Sequence, residues 1–476
     1  LKSKTDRKGT VRFSYDGFGN LTETYFADGI TETSVTRLAT QENSLGAKYY
    51  TYHVKSGSAP VVTWYDNVGN EVLKETFGLN NKKISVFTEY NSDGTKSRVS
   101  APTFSSDPQS WATVYSYDEY GRVISLITSA GKSTTKYEKS STTTVSPEGR
   151  KKMSDDTSGR IVSIETNGKS VNYEYYPSGK IKTSTPEGGA SISVEYDLQG
   201  RRTRLTDPDG GVQETKYNGF GELLWSGQSV HKKGDTIATE YSYAENGLLL
   251  SKTTNGKTTN YDYDSHNRIV AIEIQGEHRQ SFTYDEFDRV VGQKEEIDGK
   301  IFESRKEYDE FGRVRKESYP SGFFTVNHYD RNGILYEVTD SLDRSVWKLL
   351  EEDAYGQSLR TQKGARESVF GYDEQGHTLS IYAEGVVDML YAYDSRGNLE
   401  SRTDNMTSQQ EMFGYDDMNR LTNWDIYRDG ALVKENSLTF DGQGNIMTKS
   451  DLGDCVLNYG DNGRPHALTS IEGAVT

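Results

Sequence analysis

The stretch "FTYDEFDRVVGQKEEIDGKIFESRKEYDEFGRVRKESYPSGFFTVNHYDRNGILYEVTD" (residues 282–340) gives one phrase three times. Tyr284, Tyr308 and Tyr329 each open a copy of Y-D-x-x-G-x-φ, in which φ is apolar and the first copy has Asp288 at the glycine position. From Tyr175 onward the copies recur about every 21 residues, whereas the earlier copies, which start at residues 15, 65, 90, 117 and 155, are unevenly spaced. A fixed period sustained over this length predicts a repeat architecture.

The glycine position predicts a tight turn. It is occupied by glycine in most copies and by asparagine or aspartate in the others, which is the order in which residues tolerate positive φ. The predicted structural turn residues are Gly19, Gly121, Gly179, Gly200, Gly221, Asn267, Asp288, Gly312, Gly333, Gly376, Gly397, Asn419 and Gly444.

The tyrosine and aspartate that open each copy are predicted to be structural. The aspartate can accept a hydrogen bond from a backbone N–H two residues further on and so close an Asx turn. The tyrosine precedes the turn at a fixed place, which favours packing against the neighbouring repeat. The predicted structural pairs are Tyr117-Asp118, Tyr196-Asp197, Tyr284-Asp285, Tyr308-Asp309, Tyr329-Asp330, Tyr372-Asp373, Tyr393-Asp394 and Tyr415-Asp416.

Between the turns the residues favour strands. A run of five to seven residues with an apolar first residue follows each glycine position, a second turn such as "IDGK" comes next, and a run rich in Thr, Val, Tyr and Phe returns. Each repeat is therefore predicted to be strand, turn, strand, turn, in an antiparallel meander. Residues 100–110 and 139–158 suggest loops or degenerate copies, and residues 345–352 a longer strand or one turn of helix.

The composition limits how such strands can pack. Hydrophobic residues make up 33% of the 476 residues and the mean hydropathy is −0.79, against roughly 45–50% apolar residues in an average domain. The aromatic content of 11% argues against disorder. Strands such as "KIKTST" (180–185) have no apolar alternate face for a sandwich, so both faces of the sheet are expected to be wet.

We therefore predict an all-β fold, in which a hairpin meander coils, because sheets twist, into a hollow spiral shell that could be open-ended. Residues 1–110 are expected to form irregular early repeats and residues 111–476 the regular array. The two parts are expected to make one continuous shell rather than independent domains, because repeat arrays grow past ordinary domain size.

The sequence offers little for catalysis or cofactor binding. The net charge of −16 argues against nucleic acid as a partner, and no apolar run approaches the length of a membrane span. The histidines have no metal-site spacing, and the lone Cys455 excludes an intrachain disulfide and a thiolate zinc site. Carboxylate pairs such as Glu351-Glu352 are interpreted as solvated faces and turn acceptors. No catalytic, metal or cofactor-binding residue is predicted, with a calcium at "DGQGN" (441–445) as an open alternative.

The phrases "YDEYGRVISLITSAGKSTTKY" (117–137), "YDLQGRRTRLTDPDGG" (196–211) and "YDSRGNLESRT" (393–403) resemble the YD repeats of the RHS family, most clearly over residues 111–465. The resemblance implies a β-strip coiled into a hollow cocoon. In bacterial polymorphic toxins and Tc toxin complexes such a shell encloses a C-terminal toxin, and in teneurins a similar barrel serves adhesion. The sequence ends at Thr476 without the family's aspartyl self-cleavage segment or a variable toxin, so the resemblance places the cargo outside this chain.

The expected function is encapsulation by a secreted or surface-exposed bacterial protein, with a C-terminal toxin domain of the full-length protein as partner and acidic groups that favour a basic cargo. A secretion-system component is a further candidate partner. The alternative is an extracellular carbohydrate- or receptor-binding module, for which an exposed tryptophan would be the best platform; a hydrolase is the least favoured reading. The candidate platforms are Trp64, Trp111, Trp225, Trp347 and Trp424.

Overall fold

The computed structural model describes residues 1–40, 45–230, 235–453, 455–461 and 464–473. Strands make up 63% of these residues. The helical elements in these residues are two single 3₁₀ turns, Leu79–Asn81 and Ser450–Leu452. Each strand pairs in antiparallel fashion with the next one along the chain within the repeats. The predicted all-β meander of hairpins is thereby confirmed.

The residues form two compact units, unit 1 (1–129 and 280–389) and unit 2 (130–279 and 390–476). In unit 1 the first strands are β1 (Ser3–Asp6), β2 (Gly9–Tyr15), β3 (Leu21–Tyr25), β4 (Thr31–Leu38), β5 (Tyr49–Lys55), β6 (Val61–Tyr65), β7 (Glu71–Phe77), β8 (Lys83–Tyr90), β9 (Lys96–Ser100), β10 (Thr103–Phe104), β11 (Trp111–Tyr117) and β12 (Val123–Thr128). In unit 2 they are β13 (Gly131–Glu138), β14 (Ser141–Ser146), β15 (Gly149–Asp155), β16 (Ile161–Thr166), β17 (Lys169–Tyr175), β18 (Ile181–Pro186), β19 (Ile192–Tyr196), β20 (Arg202–Asp207), β21 (Gly211–Tyr217), β22 (Leu223–Val230), β23 (Asp235–Tyr243), β24 (Leu249–Thr254), β25 (Lys257–Tyr263) and β26 (Ile269–Ile274).

The chain then passes through β27 (His278–Tyr284) and returns to unit 1. The later strands of unit 1 are β28 (Val290–Ile297), β29 (Lys300–Tyr308), β30 (Val314–Ser318), β31 (Phe324–Tyr329), β32 (Leu335–Asp340), β33 (Ser345–Glu352), β34 (Ser358–Lys363), β35 (Arg366–Tyr372) and β36 (Thr378–Ala383). After β37 (Val387–Tyr393), unit 2 resumes with β38 (Leu399–Asp404), β39 (Gln409–Tyr415), β40 (Leu421–Arg428), β41 (Ala431–Lys434), β42 (Leu438–Phe440), β43 (Ile446–Lys449), β44 (Cys455–Asp461) and β45 (Arg464–Gly473). The division at residue 110 and the single continuous shell remain predictions.

Two local interpretations are settled by the strands. Residues 139–158 are not a loop, because β14 and β15 lie there and pair over their whole length, from Ser141↔Ser154 to Ser146↔Gly149. Their threonines and lysines pair across the strands without needing an apolar face, which is why the hydrophobic pattern did not show them. Residues 345–352 form the longer strand β33 rather than a turn of helix.

The interior is thin and partly polar. The buried residues include a few aliphatic side chains, such as Ile30, Ala271 and Leu349, and also Thr63, Glu75 and other polar groups. Cross-strand hydroxyl pairs recur between neighbouring strands, among them Thr239–Thr254 at 2.8 Å and Thr253–Thr258 at 2.9 Å. Pairs of this kind contribute roughly 0.2–1 kcal/mol each, so stability accumulates along the ladder of strands rather than in one dry core.

Within unit 1 the strip of hairpins returns to itself. We call the loop at each Y-D motif a corner and the loop at the opposite edge of the strip a hairpin turn. Corners of the later segment (280–389) contact hairpin turns of the earlier segment (1–129) that lie 245–281 residues back in the chain. Lys8, for example, lies 2.9 Å from the Asp288 carboxylate, and Asn332 donates its side-chain N–H to the Gly78 carbonyl at 3.0 Å. We call this row of contacts the seam of unit 1.

Unit 2 has a seam of the same kind. The Asn167 amide donates to the Asp417 carbonyl at 2.5 Å, and the Gln443 amide donates to the Gly188 carbonyl at 2.8 Å. The His466 backbone N–H donates to the Asp209 carboxylate at 2.9 Å. The partners are 250–257 residues apart. In each unit, therefore, the corners of the later segment meet the hairpin turns of the earlier one.

Candidate structural site at the aspartate corners

Most corners are built around the motif aspartate, as Asp309 shows, whereas other residues, such as Tyr176, Asn218 and Ala244, take its position elsewhere. Its Oδ1 accepts the backbone N–H groups of Phe311 and Arg313, both at 2.9 Å, and its own N–H donates to the Arg313 carbonyl at 2.9 Å. Gly312 donates to the Asp309 carbonyl at 3.0 Å and has a φ of 76°. This arrangement is a type I turn followed by a left-handed residue, a common way to join two antiparallel strands.

The structure places every predicted turn residue in the left-handed region. Their φ values run from 58° at Asn419 to 94° at Gly444. The asparagine and aspartate at positions 267, 288 and 419 share this backbone with the glycines, as expected for the residues that best tolerate it. These residues do not converge on one pocket; they recur once per repeat, one at each corner.

A β-bulge at the motif tyrosine accompanies each corner. Glu307 pairs with Lys316, but the next residue, Tyr308, pairs with Val314, so the strand slips by one residue. The same slip occurs at Tyr117, Tyr196 and Tyr415, among others. A bulge bends its strand and increases the local twist, so every repeat with such a bulge contributes to the twist of the sheet.

An arginine that the motif analysis did not single out completes the corner. It follows the glycine position directly, and its Nε donates to the second carboxylate oxygen of the aspartate at 2.6–2.7 Å. The arginines that do so are Arg122, Arg160, Arg201, Arg268, Arg289, Arg313 and Arg420. An asparagine takes its place in other copies, such as Asn398, which donates at 3.0 Å.

The same arginine reaches the next repeat. The Arg289 guanidinium lies 4.5 Å from the ring centre of Tyr308, and that of Arg313 lies 4.3 Å from the ring centre of Tyr329. The Tyr308 hydroxyl in turn donates a hydrogen bond to the Val290 carbonyl of the preceding repeat, at 2.9 Å. Aspartate, arginine and tyrosine therefore link each corner to the one that follows it.

The tyrosine hydrogen bond repeats along the chain. Its acceptor is the carbonyl of the residue two positions after the glycine position of the previous corner. The hydroxyls that donate in this way include those of Tyr90, Tyr175, Tyr217, Tyr243, Tyr263, Tyr308, Tyr329, Tyr372 and Tyr415. These tyrosines are thus tied to the neighbouring repeat by their hydroxyls.

The corner hydrogen bonds also set the charge of the aspartates. Partial burial raises the pKa of Asp264, but the hydrogen bonds from the Arg268 side chain and backbone and from the His266 N–H outweigh it and lower that pKa to about 2. At Asp309 burial likewise raises the pKa, but the hydrogen bonds from Arg313 and Phe311 outweigh it, so the pKa lies below its ordinary value. These two aspartates are therefore ionised and hydrogen-bonded at neutral pH.

Gly312 gives the simplest test of a corner. Gly312→Val is expected to lower the free energy of unfolding by about 1–3 kcal/mol, because a β-branched residue resists positive φ. Gly312→Asn is expected to cost less, since asparagine tolerates this backbone at positions 267 and 419. Chemical denaturation of the two variants measures the difference, and equal losses would count against a left-handed requirement at this position.

The tryptophans are not open platforms. All five are half-buried. The Arg98 guanidinium lies 3.9 Å from the ring centre of Trp111, and the Lys216 ammonium lies 4.8 Å from that of Trp225. Trp64 donates its ring N–H to the Glu75 carboxylate at 2.9 Å. Cations on the same chain therefore already occupy two of the faces that a sugar would need.

The described part of the chain has neither a cluster of metal ligands nor a membrane-spanning helix. No group of three or more His, Cys, Asp or Glu residues is placed to hold a metal ion there. Nor does any helix in those ranges have the length and apolar character needed to cross a membrane. Cys455 is buried.

Comparison with known proteins agrees with the repeat pattern. The teneurin YD-shell family model matches residues 156–280, and the RHS repeat model matches residues 1–31. Over 345 residues the chain is 25% identical to the double-stranded DNA deaminase toxin A of Burkholderia cenocepacia, which covers 61% of this chain and 24% of that protein. The tRNA nuclease WapA of Bacillus subtilis is 25% identical over 229 residues, 44% of this chain and 9% of that protein. Mouse teneurin-4 is 31% identical over 134 residues, 27% of this chain and 5% of that protein.

The chain thus spans about a quarter or less of the length of these relatives. Among solved structures, the crystal structure of TcdB2-TccC3 without its hypervariable C-terminal region matches 98% of this chain and 35% of that one, with a TM-score of 0.77 and 13% identity. The structure of TcdB2-TccC3 matches 99% of this chain and 35% of that one, with a TM-score of 0.58 and 12% identity. At this identity the likeness is one of fold. The corners, the family matches and the shared fold agree: the chain contains repeats that match the RHS repeat and teneurin YD-shell models and resembles those families.

Proposed function

We propose that the chain is a structural wall that sequesters a toxin domain of the longer protein to which it belongs. The observation that carries the proposal is the fold: 98% of the chain superposes on the structure of TcdB2-TccC3 without its hypervariable C-terminal region, at a TM-score of 0.77. A conserved fold beside a variable region fits a container whose contents change. The protein is proposed to be secreted or exposed at a bacterial surface.

The curated relatives support a role separate from any one reaction. One is a DNA deaminase toxin and another a tRNA nuclease, and their matches cover 61% and 44% of this chain, so the two matched regions overlap. A segment shared by proteins of such different chemistry is not suited to determine either reaction. We assign the chemistry to a cargo domain and the enclosing role to this chain.

The construction of the sheet suits a container. The corners, the bulges and the arginine–tyrosine contacts hold neighbouring strands together in the plane of the sheet, so the wall needs no second apolar layer. Both of its faces can therefore stay hydrated. The net charge of −16 favours a basic cargo, because opposite charge attracts and retains it.

A protease-protection experiment tests this function. A basic, toxin-sized domain is attached after Thr476, and its rate of digestion is compared with that of the same domain attached before Leu1. We expect the C-terminal fusion to be digested at least about tenfold more slowly, because an enclosed domain is open to the protease only when the wall opens. Equal rates for the two fusions would contradict sequestration by this chain.

Adhesion is the second candidate, and the teneurin matches are the observation that favours it. As a glycan-binding surface the chain would need an accessible aromatic face, and the corner residues Phe18 and Tyr120 are more exposed than any tryptophan. Binding to a glycan array that is lost in Tyr120→Ala, with protection absent in the fusion experiment, would favour adhesion over encapsulation.

A further inference from the structure

The seam of unit 1 shows what a corner binds. The hairpin turn at Gly57 lies between two neighbouring corners of the later segment. Phe311 of the first corner packs on Gly57, where a Cβ atom would overlap its ring, and Gly333 of the second corner lies against the Gly57 carbonyl. Arg313 donates to that same carbonyl at 3.1 Å. The corners can approach this hairpin turn closely because Gly57 has no side chain to cover the backbone of the turn.

The corners of the earlier segment carry the same kind of residue without a cover. Phe18, Val68 and Tyr120 stand directly before the corner glycine, at the position that Phe311 has in the seam. They are 94%, 74% and 74% exposed, whereas Phe311 is half-buried. Single exposed apolar residues are ordinary, but these three recur at the position that makes the contact inside the unit. We call this row the free corner edge.

The later segment of unit 1 has the complementary edge uncovered. Its hairpin turns at residues 297–300, 319–323, 363–366 and 384–386 are exposed, and their four glycines, Gly299, Gly322, Gly364 and Gly385, have positive φ, as Gly57 does. Phe323 and Val386 flank two of these turns and are exposed as well. We call this row the free turn edge. The two free edges repeat the two sides of the existing seam.

The charges of the two free edges are opposite. In the existing seam, Arg7 and Lys8 of a hairpin turn pair with Asp288 of a corner. On the free turn edge the exposed basic residues Lys300, Lys363 and Arg366 outnumber the exposed acidic residues Asp298 and Glu384. At the free corner edge the exposed Asp93 and Glu119 are acidic. The polarity of the seam, basic turn against acidic corner, is therefore preserved.

We propose that the free corner edge of unit 1 binds the free turn edge of a second copy of this chain. The contact continues the geometry of the seam from one molecule to the next, independently of the proposed enclosing function. Because the two surfaces differ, the association is head-to-tail, and such contacts generate open assemblies unless the rotation closes a ring.

Sedimentation velocity of the whole chain tests the proposal. We expect the chain to form dimers and larger species as its concentration rises, and less so at high salt, because screening weakens the exposed charge pairs. The corner variant Phe18→Asp/Val68→Asp/Tyr120→Asp is expected to weaken association by about tenfold or more. The turn variant Phe323→Asp/Val386→Asp is expected to do the same. Val369→Asp, which adds a charge at an exposed residue in the middle of β35 of unit 1, should change nothing.

Mixing the two variants makes the test specific. The corner variant keeps its turn edge and the turn variant keeps its corner edge, so the mixture retains one intact contact and should give dimers that do not grow further. Circular dichroism of each variant shows whether it is folded. Phe323 is only 41% exposed and stacks on Tyr319, so Phe323→Asp should cost some stability, whereas the other substituted side chains lie mostly in solvent. A chain that stays monomeric at every concentration, or one whose association ignores both variants, would overturn the proposal.

Discussion

Gly333→Val is expected to lower the free energy of unfolding by about 4 kcal/mol, the sum of backbone strain and overpacking. Gly333 has a φ of 84°, which a β-branched residue resists. A Cβ atom there would also overlap the carbonyl oxygen of Gly57, and its next neighbour would be the Ser58 backbone at 3.4 Å. Backbone cannot move aside as a flexible side chain can, so the corner and the seam are disturbed together.

Gly94→Val is the matched control for this prediction. Gly94 has the same kind of backbone, with a φ of 85°, but a Cβ atom there has nothing within 4 Å. Gly94→Val should therefore lower the free energy of unfolding only by the contribution of backbone strain, about 1–3 kcal/mol. Chemical denaturation measures both losses. Hydrogen exchange at the Ala59 amide, which donates to the Asn332 carbonyl at 2.9 Å, should accelerate in Gly333→Val and not in Gly94→Val. Equal losses would show that the seam adds nothing to the stability of unit 1.

The corner could be predicted from sequence because its constraint is local. Only glycine, asparagine and aspartate occupy the glycine position of the motif. This restriction arises from the positive φ of the backbone there, so it applies whatever side chains surround the turn. The arginine after it was missed although its signal was present, at Arg289, Arg313 and Arg420 for example. Basic residues at a polar surface are common, so their recurrence at one position of the motif was the only cue.

The contacts of the seam could not be predicted from the sequence. Its partners lie about 250 residues apart and share no motif, and whether a given hairpin turn meets a given corner depends on the accumulated twist of many repeats. The interpretation of Glu351-Glu352 as solvated carboxylates shows the consequence. Glu352 is only 6% exposed and accepts the Leu79 backbone N–H at 2.5 Å, 273 residues away in the chain.

Two departures from the motif meet at that point of the seam. Glu352 stands where other repeats have the motif tyrosine, and Ile334 stands where other corners have arginine or asparagine. Because the Ile334 side chain has no donor, it cannot bond to the Oδ2 atom of Asp330, which is buried and has no hydrogen bond in the structure. Burial raises the pKa of Glu352, and the charges of Asp330 and Asp353 raise it further, against the lowering effects of the Leu79 N–H and of Lys82.

The sign of the pH effect follows from this raised pKa. The folded protein holds the Glu352 proton more tightly than the unfolded chain does, so this residue stabilises the fold fully below its ordinary value of 4.5. That contribution is lost as the pH rises through the folded pKa. The corner aspartates act in the opposite direction, because their pKa values are lowered and their contribution is lost only in stronger acid.

Glu352→Ala is expected to cost about 2–4 kcal/mol of unfolding free energy in mild acid, since it leaves the buried Leu79 N–H without an acceptor and opens a space beside Gly78. Glu352→Gln keeps an acceptor for that N–H and removes the charge, so it should equal the wild type in mild acid and exceed its stability near neutral pH. Denaturation at both pH values measures the difference, with Glu351→Gln, at a half-buried neighbour paired with Arg360 at 4.0 Å, as control. If Glu352→Gln were less stable than the wild type near neutral pH, Lys82 would be compensating the buried charge in full, and the seam would hold an ion pair instead of a carboxyl group under strain.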